Sequence, residues 1–382
     1  MMWTQSEHHL KQFSTGDKLT VKTYTLHGTD PGPHIHIQAS VHGAEIQGNA
    51  VILKLMERLK EVKSFKGSLT IIPLANPYGT INKHGTYTYG RYNPVTGDNW
   101  NRNYLDLSKE AEFDLKNFCD QHENKTSLEI HTLYKLYLSE TFERIYQRLE
   151  QSFQISDNNR INLFLQGLAL KADGVLDLHT GPTATRYLYT PEYAQMIARK
   201  LLFPFTLLIP HSFDGAMDEA CFMPWVTLKD ELHKRGKTDF NLDYEAFTLE
   251  FGSEETFDMT KGARDVLSII NYLRYKSLLE GEVEEMSSVE CPLKNYITLF
   301  APIGGLCDYH FAPGEHFNKG NTLATLYQLK DLNPENPLES CQHEIKANFD
   351  GVVINRCPSG NIHQGMDMFQ VFKLSEQRSV QD

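Results

Sequence analysis

The chain has 382 residues, 40% of them apolar and 23% charged, and carries 37 basic against 49 acidic side chains for a formal net charge of −12. That composition can bury one large core and a smaller one. It offers no basic stripe for nucleic acid or an anionic membrane surface, so the expected partners are small molecules.

The first 17 residues hold no apolar leader-like run, and no stretch approaches the ~20 apolar residues of a membrane span. No membrane partner is expected, and the expected location is cytoplasmic. Six cysteines (Cys119, Cys221, Cys291, Cys307, Cys341, Cys357) are scattered without a Cys-x-x-Cys pair and read as reduced thiols.

Leu19 to Leu26 alternates in polarity and reads as a half-exposed edge strand, followed by turn residues at 28–33. His34 and His36 share one face of the next strand; a metal could use that spacing, but the plainer reading is sheet-face side chains. The strand runs into Ser40-Val41-His42-Gly43-Ala44-Glu45. An imidazole and a carboxylate three apart at a strand-to-helix turn can converge on one metal ion, and Gly43 is expected to let the backbone bend between them. Ile52, Leu55, Met56 and Leu59 mark the buried face of a helix. Leu69 to Ala75 is then a strand ending at Asn76-Pro77-Tyr78-Gly79. Strand, helix, strand predicts a mostly parallel sheet with ligand sites at the carboxyl ends of its strands, where His42 lies.

Residues 80–107 read as loop and carry Arg91, Asn101 and Arg102. From Ser108 to about Lys171 the chain is polar and poor in Gly and Pro, which predicts two or three helices beside the sheet, serving as scaffold, lid or oligomer contact. Gly174 to His179 is a short buried strand that stops at a histidine, with Asp177 on the same face as His179 and so placed to support it. Further strands are expected at Arg186–Tyr189 and Phe205–Ile209, with helices at about 192–202 and 225–235. The strand around Phe247 sets Glu250 among apolar neighbours, where a carboxylate is costly without a partner. Val266, Ile269, Ile270 and Leu273 mark a closing helix.

The acidic run 280–285 reads as a linker. Beyond it, Ala301–Gly305 with Gly320 and Leu323 loosely matches Ala347–Gly351 with Gly365 and Met368, which predicts a small pseudo-symmetric all-β barrel or sandwich. The expected organisation is therefore a catalytic part at 1–285, with a helical insertion at about 108–171, and a C-terminal β part at 290–375.

His42, Glu45 and His179 form a two-histidine, one-carboxylate set of the kind that holds Zn²⁺ and leaves a position for water. The other reading of these histidines is loop hydrogen bonding. Taken in order, His42-Gly-Ala-Glu45, Asn76-Pro77-x-Gly79, Arg91, Asn101-Arg102, Asp177-Leu-His179-Thr-Gly and Thr248-Leu-Glu250-Phe-Gly resemble the zinc carboxypeptidase superfamily. Within it the similarity is closest to the succinylglutamate desuccinylase/aspartoacylase group of deacylases. It covers nearly the whole chain, because that group also carries a C-terminal β-domain resembling the biotinyl/lipoyl hammerhead; the stretch 108–171 is longer than the resemblance leads one to expect.

The resemblance implies an α/β fold with a mixed, mostly parallel sheet flanked by helices, and one Zn²⁺ per chain on His42, Glu45 and His179. Glu250 would act as general base and then as proton donor, Arg91 would polarise the scissile carbonyl, and Asn101 and Arg102 would clamp a substrate carboxylate. Two features depart from the pattern. Asn99 stands where the group has an aspartate that supports the first histidine, with Asp98 displaced by one, so the support of His42 is open. Neither the arginine for a substrate side-chain acid nor the substrate tyrosine is fixed by the motifs; Arg186 is a candidate by position and Tyr244 a guess. Lys330 lacks the methionine flanks of an attachment lysine, so no covalent cofactor is expected.

Three readings follow. The first is a zinc hydrolase of an N-acyl amino acid or similar small amide, alone or as a homo-oligomer. The second is a metallocarboxypeptidase acting on peptides, which the C-terminal part and the 108–171 insertion should crowd out of the cleft. The third is a metabolite-binding protein that keeps the fold without the reaction.

Overall fold

The computed structural model describes residues 1–374; Ser375, the last residue of the expected C-terminal part, lies outside them. Its centre is a nine-stranded sheet in the order Met2–Gln12, Lys18–His27, Lys66–Ile72, Asp30–Ala39, Gly174–Gly181, Glu245–Ser253, Arg186–Pro191, Phe205–Ile209 and Val289–Pro292. Five of the eight pairings are parallel and three antiparallel, so the sheet is mixed and mostly parallel. Helices cover both faces, which is why the central strand Gly174–Gly181 is buried from end to end.

Side-chain alternation assigns the two faces different work. Leu176, Leu178, Phe247 and Leu249 pack against the helices Gln47–Leu59 and Met259–Tyr275. On the opposite face Val175 and Ala246 join the core formed by Ser127–Gln151, Asp157–Ala169 and Met217–Lys234. The same face turns polar toward the carboxyl ends of the strands, where Asp177, His179, Thr248 and Glu250 follow.

The structure differs from the sequence reading at the sheet edge. Met2–Gln12 pairs antiparallel with Lys18–His27, so the latter is the second strand. Only Leu10 of the outer strand is buried, and a polar, exposed strand carries little alternation while protecting the edge from pairing with another chain.

The insertion forms the helices Leu115–His122, Ser127–Gln151 and Asp157–Ala169. Asp114, Thr126 (with Glu129 in a capping box) and Ser156 start them. They form a shelf under the loop 101–105: the Asn162 amide donates to the Arg102 carbonyl, and Gln166 bonds both the N–H of Leu105 at 2.9 Å and its carbonyl at 2.8 Å.

The strand Val289–Pro292 closes the main sheet, and the expected start of the C-terminal part at 290 falls inside it. From Tyr296 onward the chain forms two small antiparallel sheets, one through Tyr296–Phe300, Asp367–Lys373, Gly351–Arg356 and His316–Phe317, the other through Gln342–Lys346, Thr322–Tyr327, Gly305–Tyr309 and Asn361–Ile362. Leu323, Val353 and Phe369 fill the space between them. Thr183–Ala184, just past the strand of His179, pairs with Asn355–Arg356, which ties one of these sheets to the rim of the main one. Among the described residues no helix is long and apolar enough to cross a membrane.

Candidate metal and active site

The strand Asp30–Ala39 ends at Ser40, whose backbone is left-handed (φ 61°) and whose hydroxyl donates to Asn49 Oδ1 at 2.6 Å. The chain then delivers His42 and Glu45. Gly43 is required there for a different reason from the expected bend. Its N–H donates to the Gly90 carbonyl at 2.8 Å, and a Cβ on it would lie 2.1 Å from the Gly79 carbonyl oxygen. This close crossing of backbones places the next residue, Arg91, against the site: its Nη2 donates to Glu45 Oε1 at 3.0 Å. Gly43→Ala is expected to destabilise the fold by about 3 kcal/mol or more, since backbone cannot yield as a flexible side chain does; the urea midpoint checks this.

His42, Glu45 and His179 are buried, and one ligand atom from each lies within 4.8 Å of the others. His42 Nδ1 is 2.8 Å from Glu45 Oε1 and His179 Nδ1 is 2.7 Å from Glu45 Oε2, so both rings turn the same nitrogen inward. The outer nitrogens each lie close to an oxygen, that of His42 in a hydrogen bond and that of His179 in an ion-pair contact. His179 Nε2 lies 2.9 Å from Asp177 Oδ2, and His42 Nε2 lies 2.8 Å from Asn99 Oδ1. Asn99 thus fills the place left open in the sequence with an amide oxygen, itself held by the Asn101 N–H at 2.9 Å. Outer acceptors of this kind fix the orientation of metal-binding imidazoles.

Electrostatics supports the same use. Burial would raise the Glu45 carboxyl, but His42, Arg91 and His179 hold it well below the usual range. Burial would lower His179, yet Asp177 and Glu45 hold it well above the ordinary imidazole value. Two carboxylates beside a buried imidazole make a place where positive charge is favoured, as a site for a divalent cation requires. Glu250 is in register with His179 on the neighbouring strand. It is 7% exposed, and burial, then the charge of Glu45, pushes it up to about 8. Among the described residues its Oε2 has no hydrogen-bond partner, an acceptor kept free inside the site.

These groups open into a cavity of about 1090 Å³, at the upper end for small-molecule sites. Arg91, Asn101, Arg102 and Glu250 line it, and residues 355–358 and 366–370 of the C-terminal sheets form another part of its wall. No residue of 108–171 lines it among the described residues; the insertion does not crowd the cleft and instead supports the loop that carries Arg102. Arg102 reaches the cavity with its Nη1 on the Asn101 carbonyl at 2.7 Å and its Nε 3.8 Å from the exposed Asp214. Asn101 is buried, and its Oδ1 accepts the Met217 N–H at 3.4 Å.

Four histidine, arginine and tyrosine candidates lie elsewhere. His34 bonds Thr70 and His36 bonds Gln38. Arg186 is 3.1 Å from Asp265, donates to Ser268 and lies over the Phe203 ring, on the face away from the cavity. Tyr244 stacks on Trp225 in the core. Tyr187 and Tyr189, one on each side of Leu188, line the cavity instead; their spacing of two on a strand was the available signal. Arg356, from the C-terminal sheet, also lines it. It lies over the Tyr309 ring at 4.7 Å, donates to the Cys357 carbonyl at 3.1 Å and makes no ion pair among the described residues.

The sequence model of the succinylglutamate desuccinylase/aspartoacylase catalytic domain matches residues 31–276. The chain belongs to the succinylglutamate desuccinylase/aspartoacylase family. A crystal structure from Shewanella frigidimarina NCIMB 400, placed in the same family, is 37% identical and superposes with a TM-score of 0.89 over 97% of each chain. Another, from Shewanella amazonensis SB2B, is 35% identical with a TM-score of 0.88 over 97% of this chain and 98% of that one. The product-bound ectoine utilization protein EutE of Ruegeria pomeroyi, at 17% identity, shares the fold, with a TM-score of 0.63 over 97% of this chain and 95% of that one. No curated protein matches the chain. The desuccinylase/aspartoacylase family is a group of deacylases, which makes the chain an enzyme of hydrolytic type.

Proposed function

We propose that this chain is a zinc-dependent deacylase that hydrolyses the amide bond of an N-acyl amino acid, or a similar small amide, to a carboxylate and a free amine. One observation carries the reading: Glu250, buried and with a free oxygen, stands in register beside His179 of a buried two-histidine, one-carboxylate set. That donor set suits Zn²⁺ and leaves it an open position. When bound there, zinc supplies Lewis acidity and brings the pKa of a water molecule to ~7.

The protein side of the reaction follows from the residues. Glu250 Oε2 takes a proton from the attacking water and returns it to the amide nitrogen as the C–N bond breaks. Burial and the charge of Glu45 push its carboxyl up to about 8, and a cation held beside it would favour the ionised form. Arg91 donates to the carbonyl oxygen as negative charge develops there. Arg102 offers its planar fork to the carboxylate of the amino acid, with Asn101 holding the loop at the start of the helix Met217–Lys234. Arg356 receives a second polar or anionic end of the substrate, and Tyr187 and Tyr189 form the wall between. The family's name, that of enzymes acting on succinylglutamate and acylated aspartate, supports this substrate class.

A screen of the zinc-loaded protein against N-acetyl, N-succinyl and N-formyl amino acids, beside C-terminal dipeptides, tests the reading by amine release. Turnover of the acyl amino acids is expected; turnover confined to the dipeptides would replace it with a peptidase. Arg102→Ala is expected to raise KM about 10- to 100-fold for substrates with a free carboxylate and little for their amides. Arg356→Ala should raise KM chiefly for substrates with a second acid, which a comparison of N-succinyl with N-acetyl substrates measures.

A further inference from the structure

Beneath His179 lies a buried polar chain that the reaction itself does not use. The strands Asp30–Ala39 and Gly174–Gly181 are parallel neighbours, with Gln38 in register with Asp177. His36, Gln38 and Asp177 are each fully buried. His36 Nε2 is 3.0 Å from Gln38 Oε1; Gln38 Nε2 donates to Asp177 Oδ1 at 3.1 Å; Asp177 Oδ2 is 2.9 Å from His179 Nε2. Ile35 and Ile37, alternating with this pair, are ordinary core side chains. An apolar pair at 36 and 38 would be the cheaper way to fill the same strand, since buried polar groups must all be satisfied.

We infer that Gln38, aligned by His36, is a positioning residue for the metal site and acts on His179 through Asp177. The inference rests on the reading of His179 as a metal ligand. Its physical basis is that the hydrogen bonds from His36 through Gln38 to Asp177 can run in only one direction. Asp177 accepts, so Gln38 must turn its NH₂ toward it; the flipped amide would set oxygen against oxygen. Gln38 Oε1 then faces His36, which must carry its proton on Nε2. The other nitrogen of His36, Nδ1, has no partner among the described residues, as an unprotonated nitrogen in an apolar setting can tolerate. Burial pushes His36 down to about 4, so the ring is neutral at working pH. With one oxygen of Asp177 pinned by Gln38, the other is held 2.9 Å from His179 Nε2 as a close ion-pair contact, and His179 turns Nδ1 toward Glu45, where a cation would sit. His42 has no counterpart to this chain, being held by the loop amide of Asn99.

Two measurements test the inference. Long-range ¹H–¹⁵N NMR of the imidazoles in the unaltered protein should show His36 as the Nε2–H form with a pyridine-type Nδ1. A His36 protonated on Nδ1 requires the flipped amide and overturns the alignment. Zinc affinity, read by competition with a chromophoric chelator, should weaken about 10- to 100-fold in Gln38→Met, and the visible spectrum of the cobalt-substituted protein should change with it. Ile37→Val, on the other face of the same strand, is the control: a merely structural role lowers the melting temperature of both variants and leaves both zinc affinities alone, and an unchanged affinity in Gln38→Met sinks the proposal. If Gln38→Met does not fold, His36→Phe, which keeps the ring and removes the donor to Gln38, is read in the same way. Absence of zinc binding by the unaltered protein would instead refute the metal site itself, a separate result from a shift that fails to appear.

Discussion

Glu250→Gln is expected to keep one zinc per chain and to lose about 10²- to 10⁴-fold in kcat. The substitution preserves shape and leaves His42, Glu45 and His179 in place, so the donor set is untouched. It even relieves the like-charge repulsion from Glu45 that helps raise the Glu250 carboxyl. What it removes is the ability of one oxygen to take and return a proton, and that oxygen is free of other partners among the described residues. KM should change little, because the group acts on the reacting atoms rather than on the remote carboxylate. Metal analysis with steady-state kinetics on the same preparation checks both parts, and a kcat within a few-fold of the unaltered enzyme would remove Glu250 from the mechanism.

His179→Ala is expected to fail to retain metal through gel filtration and to lose activity to the limit of detection. Two donors from one short turn, His42 and Glu45, do not make a structural or catalytic zinc site. The loss also reaches the fold. His179 stands between Asp177 and Glu45 at 2.9 and 2.7 Å, and its removal leaves two buried carboxylates without their shared partner. A cost of about 3 to 5 kcal/mol is expected from breaking such a buried pair, with a correspondingly lower thermal midpoint for the metal-free protein. Retention of a full equivalent of zinc by His179→Ala would show that the metal is held elsewhere.

Much of the candidate site was legible because its residues lie at or just past the ends of strands, each after a stretch in which apolar side chains alternate with polar ones. His42 after Ile35 to Ala39, His179 after Val175 to Leu178 and Glu250 after Phe247 to Leu249 all have this form, and the structure brings them to one end of one sheet. What was not legible depends on distant backbone. Nothing local says that Gly43, Gly79 and Gly90 meet, so Gly43 read as a hinge although it serves a close crossing. Nor does Asn99 announce that its amide oxygen takes the place of a carboxylate at His42.

Arg186 and Tyr244 failed as candidates for a simpler reason. Alternation along Arg186–Pro191 turns Arg186 to the face opposite Tyr187 and Tyr189, and Tyr244 precedes the strand's polar end by six residues. Arg356 was out of reach of the sequence altogether, since it reaches the cavity through the pairing of Thr183–Ala184 with the C-terminal sheet and the packing of Val352, Ile354 and Phe372 on the main sheet. The polar strand Met2–Gln12 was missed because an edge exposed to water needs no apolar face. The stretch 108–171, expected as scaffold, lid or oligomer contact, bonds the loop 101–105 and so supports Arg102.

The central claim is that His42, Glu45 and His179 hold the zinc on which amide hydrolysis depends. Stepwise return of zinc to chelator-treated protein, with amine release from an N-acyl amino acid followed at each step, tests it most directly. Activity is expected to rise from near zero in proportion to added metal and to level off at one zinc per chain. Full activity in protein shown by elemental analysis to be free of metal would contradict it.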